Sequence, residues 1–323
     1  MLSAGLALVG AIIYGAADFF GGLAAKRLRS IVVTAVAAAS GLVFLTIALP
    51  FIGGAWVPTD VAWGALAGVF GVVAIALLYA CLAIGPMSIL SPLTAVISAI
   101  APMLWGLLVN GETLSGIGYA GLGVALVAVV LVGFIPGARV VRPTTRGLLM
   151  AIGAGAAIGA FLIAIDQTGS ESGLVPLVMT RVTNMAITSV IIGILVVRAL
   201  SAGRRAASVL DVSGVTIGAT PTGHADLEHA AGGDSRVAGA GASASRTRAW
   251  WLAIVCGVVD AGANAIMLLA LRVGDLSIVS ALTALYPAGT ILLAAIVLRE
   301  RVAPVQWLGL ALALLAGGML ALA

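Results

Sequence analysis

Long apolar runs separated by short polar breaks follow one another to the end of the chain. Ten runs stand out, at about 3–24, 31–50, 61–84, 88–109, 117–136, 147–165, 174–197, 250–271, 276–298 and 305–323. Each holds about 18 residues or more, enough to cross a hydrocarbon core of ~30 Å as an α-helix. The pattern predicts an all-α integral membrane protein with ten transmembrane helices. The first run is too long for a signal-peptide core, has no basic residue before it and is followed by Lys26, Arg27 and Arg29. It is therefore expected to be a retained helix and not a cleaved leader.

A second regularity lies on top of the first. The stretch GPMSILSPLTAVISA (85–99) matches GDLSIVSALTALYPA (274–288) at eight of fifteen positions, including Gly85/Gly274, Ser88/Ser277, Ser91/Ser280 and Thr94/Thr283. After a one-residue shift Glu112 pairs with Glu300, Gly121 with Gly309 and Ala125 with Ala313. Shared apolar composition does not place Gly, Ser, Thr and Glu in the same order, so the chain reads as one unit written twice. The first repeat is expected over 1–136, a linker GARVVRPTTR over 137–146, and the second repeat over 147–323. Five helices per repeat is an odd number, so the second copy enters the membrane in the opposite sense, the inverted-repeat plan of secondary transporters. Residues 199–249, rich in Gly, Ala, Ser, Asp and Arg, interrupt the second repeat and are expected to be a disordered loop. The HADLEH segment within it, His224 to His229, has metal-binding residue types, but a solvated low-complexity loop fixes no ligand geometry.

Composition agrees with a bilayer as solvent: 62% of residues are hydrophobic and 9% charged, against roughly 25% charged in a soluble domain. Charge placement adds orientation. Breaks after odd-numbered runs hold fourteen of the sixteen basic residues, while breaks after even-numbered runs hold only Arg272. By the positive-inside rule the odd-numbered loops are cytoplasmic and both termini lie outside. The pI near 9.6 therefore reports topology; no basic stripe with interleaved aromatics points to nucleic acid. Cys81 and Cys256 each fall within a predicted helix and are expected to pack in the core.

These residues resemble the drug/metabolite transporter superfamily, EamA type, over nearly the whole chain except the 199–249 insertion. The resemblance rests on YGAADFFGG (14–22), GPMSILSPLTA followed by NGE (110–112), SGLVPLVMTR (172–181) and LYPAGTILLAAIVLRERV (285–302). It implies ten helices in two five-helix repeats, and a secondary transporter, commonly an exporter of metabolites, amino acids or drugs. It also implies a cavity lined by the first, third, fourth, sixth, eighth and ninth helices. Two departures stand out. Such relatives are generally described with cytoplasmic termini, against the charge count; and an arginine often seen in the second helix of each repeat occurs here only as Arg181, its first-repeat region reading AVAAASG.

Three ionisable groups lie inside the runs: Asp18, Arg181 and Asp260. A charge at a helix centre costs about 2.5–3.5 kcal/mol on insertion scales, so such groups are expected to face inward and pair. Asp260 falls near the middle of the eighth run, with Asn264 one turn on, and Gly257 and Gly262 allow close approach. It reads equally as a proton, cation or substrate site and as a carboxylate that pairs with Arg181 to fasten helices. Asp18 follows Tyr14 by one turn but lies near Lys26, so snorkelling toward the interface competes with a site role. Arg181 and Asn184 are neighbours on the seventh helix, with Asp260 the preferred partner of Arg181 and Asp18 the other.

Pro92, Pro102 and Pro287 interrupt the fourth and ninth runs beside Ser91, Thr94, Ser98, Ser280, Thr283 and Tyr286. These side chains form hydrogen-bonding walls or else bond back to their own helices. Trp105 and Tyr286 either stack on a ligand or pack. The pairs Gly64/Gly68 and Gly155/Gly159 read as helix-packing surfaces. Glu112 and Glu300, at the ends of their helices, are expected to bond a neighbouring loop or an arginine.

The expected function is a secondary active transporter of the inner membrane that moves a small organic solute, outward and coupled to protons. An uncoupled facilitator and a non-transporting membrane scaffold are the alternatives. No catalytic constellation appears, and no cofactor or metal is expected. The partners expected are a small-molecule solute, protons and the lipid bilayer, with no nucleic acid; a homodimer is compatible with the sequence but not indicated by it.

Overall fold

In a computed structural model the apolar runs become helices. The structure describes residues 1–25, 27–84, 87–133, 144–203, 205–209, 242–297 and 303–323. In chain order the helices are α1 (Leu2–Ala25), α2 (Ser30–Ile52), α3 (Pro58–Ile84), α4 (Met87–Leu108), α5 (Gly116–Val132), α6 (Thr145–Asp166), α7 (Val175–Ser201), α8 (Ala242–Arg272), α9 (Leu276–Thr283), α10 (Tyr286–Val297) and α11 (Pro304–Ala321). There are no strands among the described residues. Eight helical spans are long and apolar enough to cross a membrane, and Leu93–Leu108 and Gly116–Val132 are shorter apolar helices. This is a multi-pass helical membrane protein.

Local chemistry sets several boundaries. Ser115 and Thr144 cap α5 and α6, their hydroxyl oxygens accepting the backbone N–H of Gly118 at 3.3 Å and Gly147 at 3.1 Å. The turn after α4 passes through Gly111, whose φ of +70° suits a residue without Cβ and lets Glu112 N–H return to the Gly106 carbonyl at 3.0 Å. The ninth run, expected as one helix, breaks into α9 and α10 at Ala284–Leu285. Pro287 has no N–H to donate to the Thr283 carbonyl four residues back, and its ring crowds that carbonyl. By contrast α4 continues through Pro92 and Pro102.

The 199–249 insertion also departs from expectation, since its described edges are ordered. α7 continues to Ser201, a short 3₁₀ turn covers Ala206–Val209, and α8 begins at Ala242. The stretch ASASRTR holds no helix breaker, so the helix of the eighth run extends upstream through it. The HADLEH segment, linker residues 137–143, Lys26 and Glu300 lie outside the described residues.

Packing follows an exchange rule. α1 packs on α8 and α6 on α3; α3 on α7 and α8 on α2; α4 on α6 and the α9–α10 pair on α1; α2 meets α7 and α5 meets α11. Glycines set these crossings. A Cβ at Gly155 would lie 2.6 Å from the Thr94 carbonyl oxygen, one at Gly159 2.8 Å from Ala101 Cβ, and one at Gly68 2.7 Å from Thr183 Cβ. Both GxxxG pairs are thus helix-packing surfaces, α6 on α4 and α3 on α7. Gly257 packs against Ala37 and Ser40 of α2, whereas a Cβ at Gly262 would meet nothing within 4 Å. Five residues turn a helix through about 140° beyond one full turn, so Gly262 cannot share the packed face of Gly257.

One set of helix ends is tied together by polar bonds. Asp60, at the start of α3, accepts from Gly169 N–H at 2.9 Å and from the Ser172 hydroxyl. Asn110, after α4, donates to Asp166 at 3.1 Å, and Arg272, ending α8, reaches the Thr168 hydroxyl at 3.4 Å. Glu112 accepts the backbone N–H groups of Leu276 at 2.8 Å and Ser277 at 3.0 Å. Its carboxylate was expected to bond a loop or an arginine; it caps the positive end of α9 instead, where a helix dipole favours it. Burial and the nearby charge of Glu112 push the Asp275 carboxyl above its usual range. The opposite helix ends carry Arg27, Arg29, Arg146, Arg198 and Arg248. Exposed tryptophans ring both ends, Trp56, Trp63 and Trp105 at the acidic one and Trp251 and Trp307 at the basic one, as expected where indole sits at a membrane interface.

Candidate functional site

A cavity of about 130 Å³ lies inside the bundle, lined by residues from α1 to α4 and from α6 to α10. Its polar wall is built by α7, α8 and α9. α7 supplies Thr180, Arg181 and Asn184, α8 supplies Asp260 and Asn264, and α9 supplies Ser280 and Thr283. The other walls carry Ala37, Ala38, Ala74, Ile75, Ile158 and Leu162.

The centre of the polar wall is an ion pair. Arg181 Nη2 lies 2.5 Å from Asp260 Oδ2, with side chains 10% and 15% exposed. Arg181 reaches this position because α7 and α8 both pack on α2, and Gly41 of α2 leaves room there. A Cβ at Gly41 would sit 3.3 Å from Ala261 Cβ and 3.5 Å from Arg181 Nε. A glycine of α2 thus faces the arginine of α7. One turn beyond Asp260, Asn264 Nδ2 donates to the Asp260 carbonyl at 2.8 Å, which orients that amide along the helix.

Most hydroxyls of the wall are already engaged as donors. Ser98 donates to Ala95 O at 2.8 Å and Ser280 to Ser277 O at 3.1 Å. Thr180 reaches Gly64 O at 2.9 Å and Pro176 O at 3.0 Å, so its hydroxyl fastens α7 to α3. Tyr14 Oη contacts Met267 Sδ at 3.5 Å. Two buried atoms at the cavity have no hydrogen-bond partner, Asn184 Oδ1 and Thr283 Oγ1. The Thr283 atom sits where Pro287 breaks the helix.

Of the residues singled out from the sequence, the cavity brings together Tyr14, Ser98, Arg181, Asn184, Asp260, Asn264, Ser280, Thr283 and Tyr286. Others lie elsewhere. Trp105 is 37% exposed on the outside of the bundle, in the ring of interfacial tryptophans. Thr94 is buried between α4 and α6, bonding Leu90 O at 3.0 Å and Ala151 O at 3.2 Å. Ser91 lies in α4, and its side chain is outside the described residues. Asp18 was expected to compete between site and interface; it is 1% exposed, within electrostatic reach of Tyr14 and Cys256 but not on the cavity wall. The close packing of α1 on α8 and α10 buries its face and leaves no route for snorkelling. Cys256 packs among Ala24, Ala25, Val33 and Ala253, and the side chain of Cys81 is outside the described residues.

Thr34, Gly71, Phe161, Thr180 and Met267 also line the cavity and were not singled out from the sequence. Thr180 adjoins Arg181 and could have been found by that proximity. The others are ordinary residues of apolar helices, and only packing turns them inward.

Together these features define a multi-pass membrane protein with a cavity lined by an ion pair, hydroxyl groups and apolar side chains. Residues 238–322 match the EamA-like transporter family, which bears out the drug/metabolite transporter resemblance read from the repeat signature. A solved structure titled only "Crystal structure of protein" has the same fold, with a TM-score of 0.64 at 15% identity over 97% of this chain and 98% of that one. Comparison with curated proteins gives no match.

Proposed function

We propose that the chain is a secondary transporter that carries a small organic solute across the inner membrane by alternating access, outward and coupled to protons. The observation that carries this reading is the buried Arg181–Asp260 pair set in the wall of a cavity between the two halves of the chain. An ion pair held away from water can be opened by a proton or a solute and then remade, and each state favours a different packing of the helices around it. Asp18, Tyr14 and Cys256 are the other titratable groups within electrostatic reach. The exchange rule in helix packing supports two five-helix repeats of opposite sense, ten crossings in all, because it maps each helix of the first half onto its counterpart in the second.

The test starts from metabolite differences between cells lacking and overproducing the protein, which supply the solute. In proteoliposomes its flux should then follow an imposed pH gradient, and Asp260→Asn should cut the rate at least about tenfold and abolish that dependence. Unchanged rate and pH response in D260N would sink the coupling. Equilibrative flux indifferent to the gradient would identify a facilitator.

Orientation follows from the helix ends. The end bearing Arg27, Arg29, Arg146, Arg198 and Arg248 faces the cytoplasm, and both termini face outward. A phosphatase reporter fused after Ala323 should be active in the periplasm of a bacterial host; activity only of a cytoplasmic reporter at that position would reverse the assignment.

A further inference from the structure

α9 is the short helix of the cavity wall, and its two ends are held differently. Its eight residues, Leu276–Thr283, are all buried, and a helix of that length spans about 12 Å. It runs from the acidic helix ends to the cavity, which Ser280 and Thr283 line. At the cavity end the helix breaks at Ala284–Leu285, and α10 beyond the break is fixed to α1. The Thr290 hydroxyl donates to the Gly15 carbonyl at 3.2 Å, and a Cβ at Gly15 would lie 2.5 Å from Tyr286 O and Thr290 N. α9 has no such side-chain tie. Ser280 donates within its own helix, and the hydroxyl oxygens of Ser277 and Thr283 have no hydrogen-bond partner. Among the described residues, the polar bonds of α9 to the first half of the chain are those of the Leu276 and Ser277 N–H groups to Glu112.

That cap comes from an unusual place. α5 and α6 are capped by the residue that precedes each of them, Ser115 and Thr144. α9 has Asp275 in this position, with the extended backbone of a cap, φ −71° and ψ 138°, yet the Asp275 side chain makes no cap bond. Glu112 takes the N–H groups instead, within electrostatic reach of Asp275. Two carboxylates thus stand by one helix N-terminus that either one can cap. We propose that Glu112 is the latch of a gate at the acidic face and Asp275 its competitor: when the cap passes from Glu112 to Asp275, α9 swings about the Ala284–Leu285 break and opens the cavity to that face. This rests on the transporter reading and names the element that moves. Exchange of one carboxylate for another leaves the first N–H groups of α9 capped in both states, and repulsion between the two like charges favours release. Pro287 supplies the pivot, because it has no N–H to bond across the break.

Thiol labelling of the full chain in membrane vesicles tests this. Ala74→Cys, in a C81A background, places a thiol on the α3 wall of the cavity, away from the gate. Ser280→Cys takes its place if that variant does not fold. The buried thiol of Cys256 is the internal control for loosening of the whole fold. A membrane-impermeant methanethiosulfonate is applied to the acidic face. Glu112→Gln should speed labelling of the introduced thiol about tenfold or more, the scale of one charge-assisted hydrogen bond, and leave Cys256 unlabelled. Asp275→Ala should act in the opposite sense and slow labelling about fivefold in the E112Q background, because the open state then loses its cap. General destabilisation would speed labelling in both. Equal labelling of E112Q and its parent overturns the inference, as does labelling of E112Q/D275A as fast as or faster than E112Q, or reaction of Cys256 in step with the introduced thiol. Faster labelling of E112Q with no flux, in proteoliposomes of the parent, of the solute found from the metabolite differences would leave the gate standing and sink the transport reading. Flux of that solute together with unchanged labelling of E112Q would do the reverse.

Discussion

Asp260→Ala should destabilise the protein by about 3–5 kcal/mol, and Arg181→Met by a similar amount, whereas the double variant R181M/D260A should lose much less than their sum. Removing one partner leaves the other charge in a low-dielectric wall with little water to take its place. Removing both leaves uncharged side chains, which the apolar surroundings tolerate. Gly41, Ala261 and Gly257 pack tightly around the pair, so an orphaned guanidinium has little room to reach a headgroup. Unfolding free energies of the four proteins in one detergent measure the coupling. Additive losses would mean that the pair does not act as a unit, and would remove the physical basis for opening and remaking it during transport.

Glu112→Ala should cost about 2–4 kcal/mol, because two charge-assisted bonds, to the N–H groups of Leu276 and Ser277, are lost at once. Those bonds join the loop after α4 to the start of α9, one half of the chain to the other. Glu112→Gln keeps an acceptor and should recover part of the loss. Gly106 supplies an independent check. A Cβ there would lie within 2.8 Å of Glu112 Oε1, so Gly106→Ala should displace the carboxylate and mimic E112A in the wild type while adding little in an E112A background. Thermal unfolding of the three single variants and the G106A/E112A double variant measures this. Full additivity of G106A and E112A would show that the glycine acts elsewhere.

The two predictions concern residues that differed in legibility. Asp260 and Arg181 stand out in any apolar run because charge there is costly, and helical spacing already places Asn264 beside Asp260 and Asn184 beside Arg181. Their pairing was one of two options, since helical periodicity orders residues along each helix but says nothing of which helices touch. Glu112 was misread for the same reason. Along its own chain it follows a helix C-terminus, where a negative charge is disfavoured, and only the approach of α9 turns that position into a favourable one. Trp105 failed as a site residue because aromatic rings serve interface and cavity alike, and which they serve depends on the direction of their face. The break at Ala284–Leu285 could have been anticipated from Pro287, yet α4 passes through Pro92 and Pro102, so proline alone did not decide it.

By itself the sequence determined that the chain is helical and membrane-embedded, where its charges cluster and which few polar groups the apolar runs must accommodate. Those follow from composition, spacing and the cost of burying charge, which act locally along the chain. The tertiary structure decided that Arg181 meets Asp260 across α7 and α8, that Asp18 stays behind the cavity wall, that Glu112 caps α9, and that Asn184 and Thr283, both at the cavity, keep a buried oxygen without a hydrogen-bond partner. Each of these depends on the close approach of helices distant in sequence. In a bilayer that approach is governed by small residues such as Gly41, Gly155 and Gly257 and by the shapes they leave open, information that no periodic pattern along one helix contains.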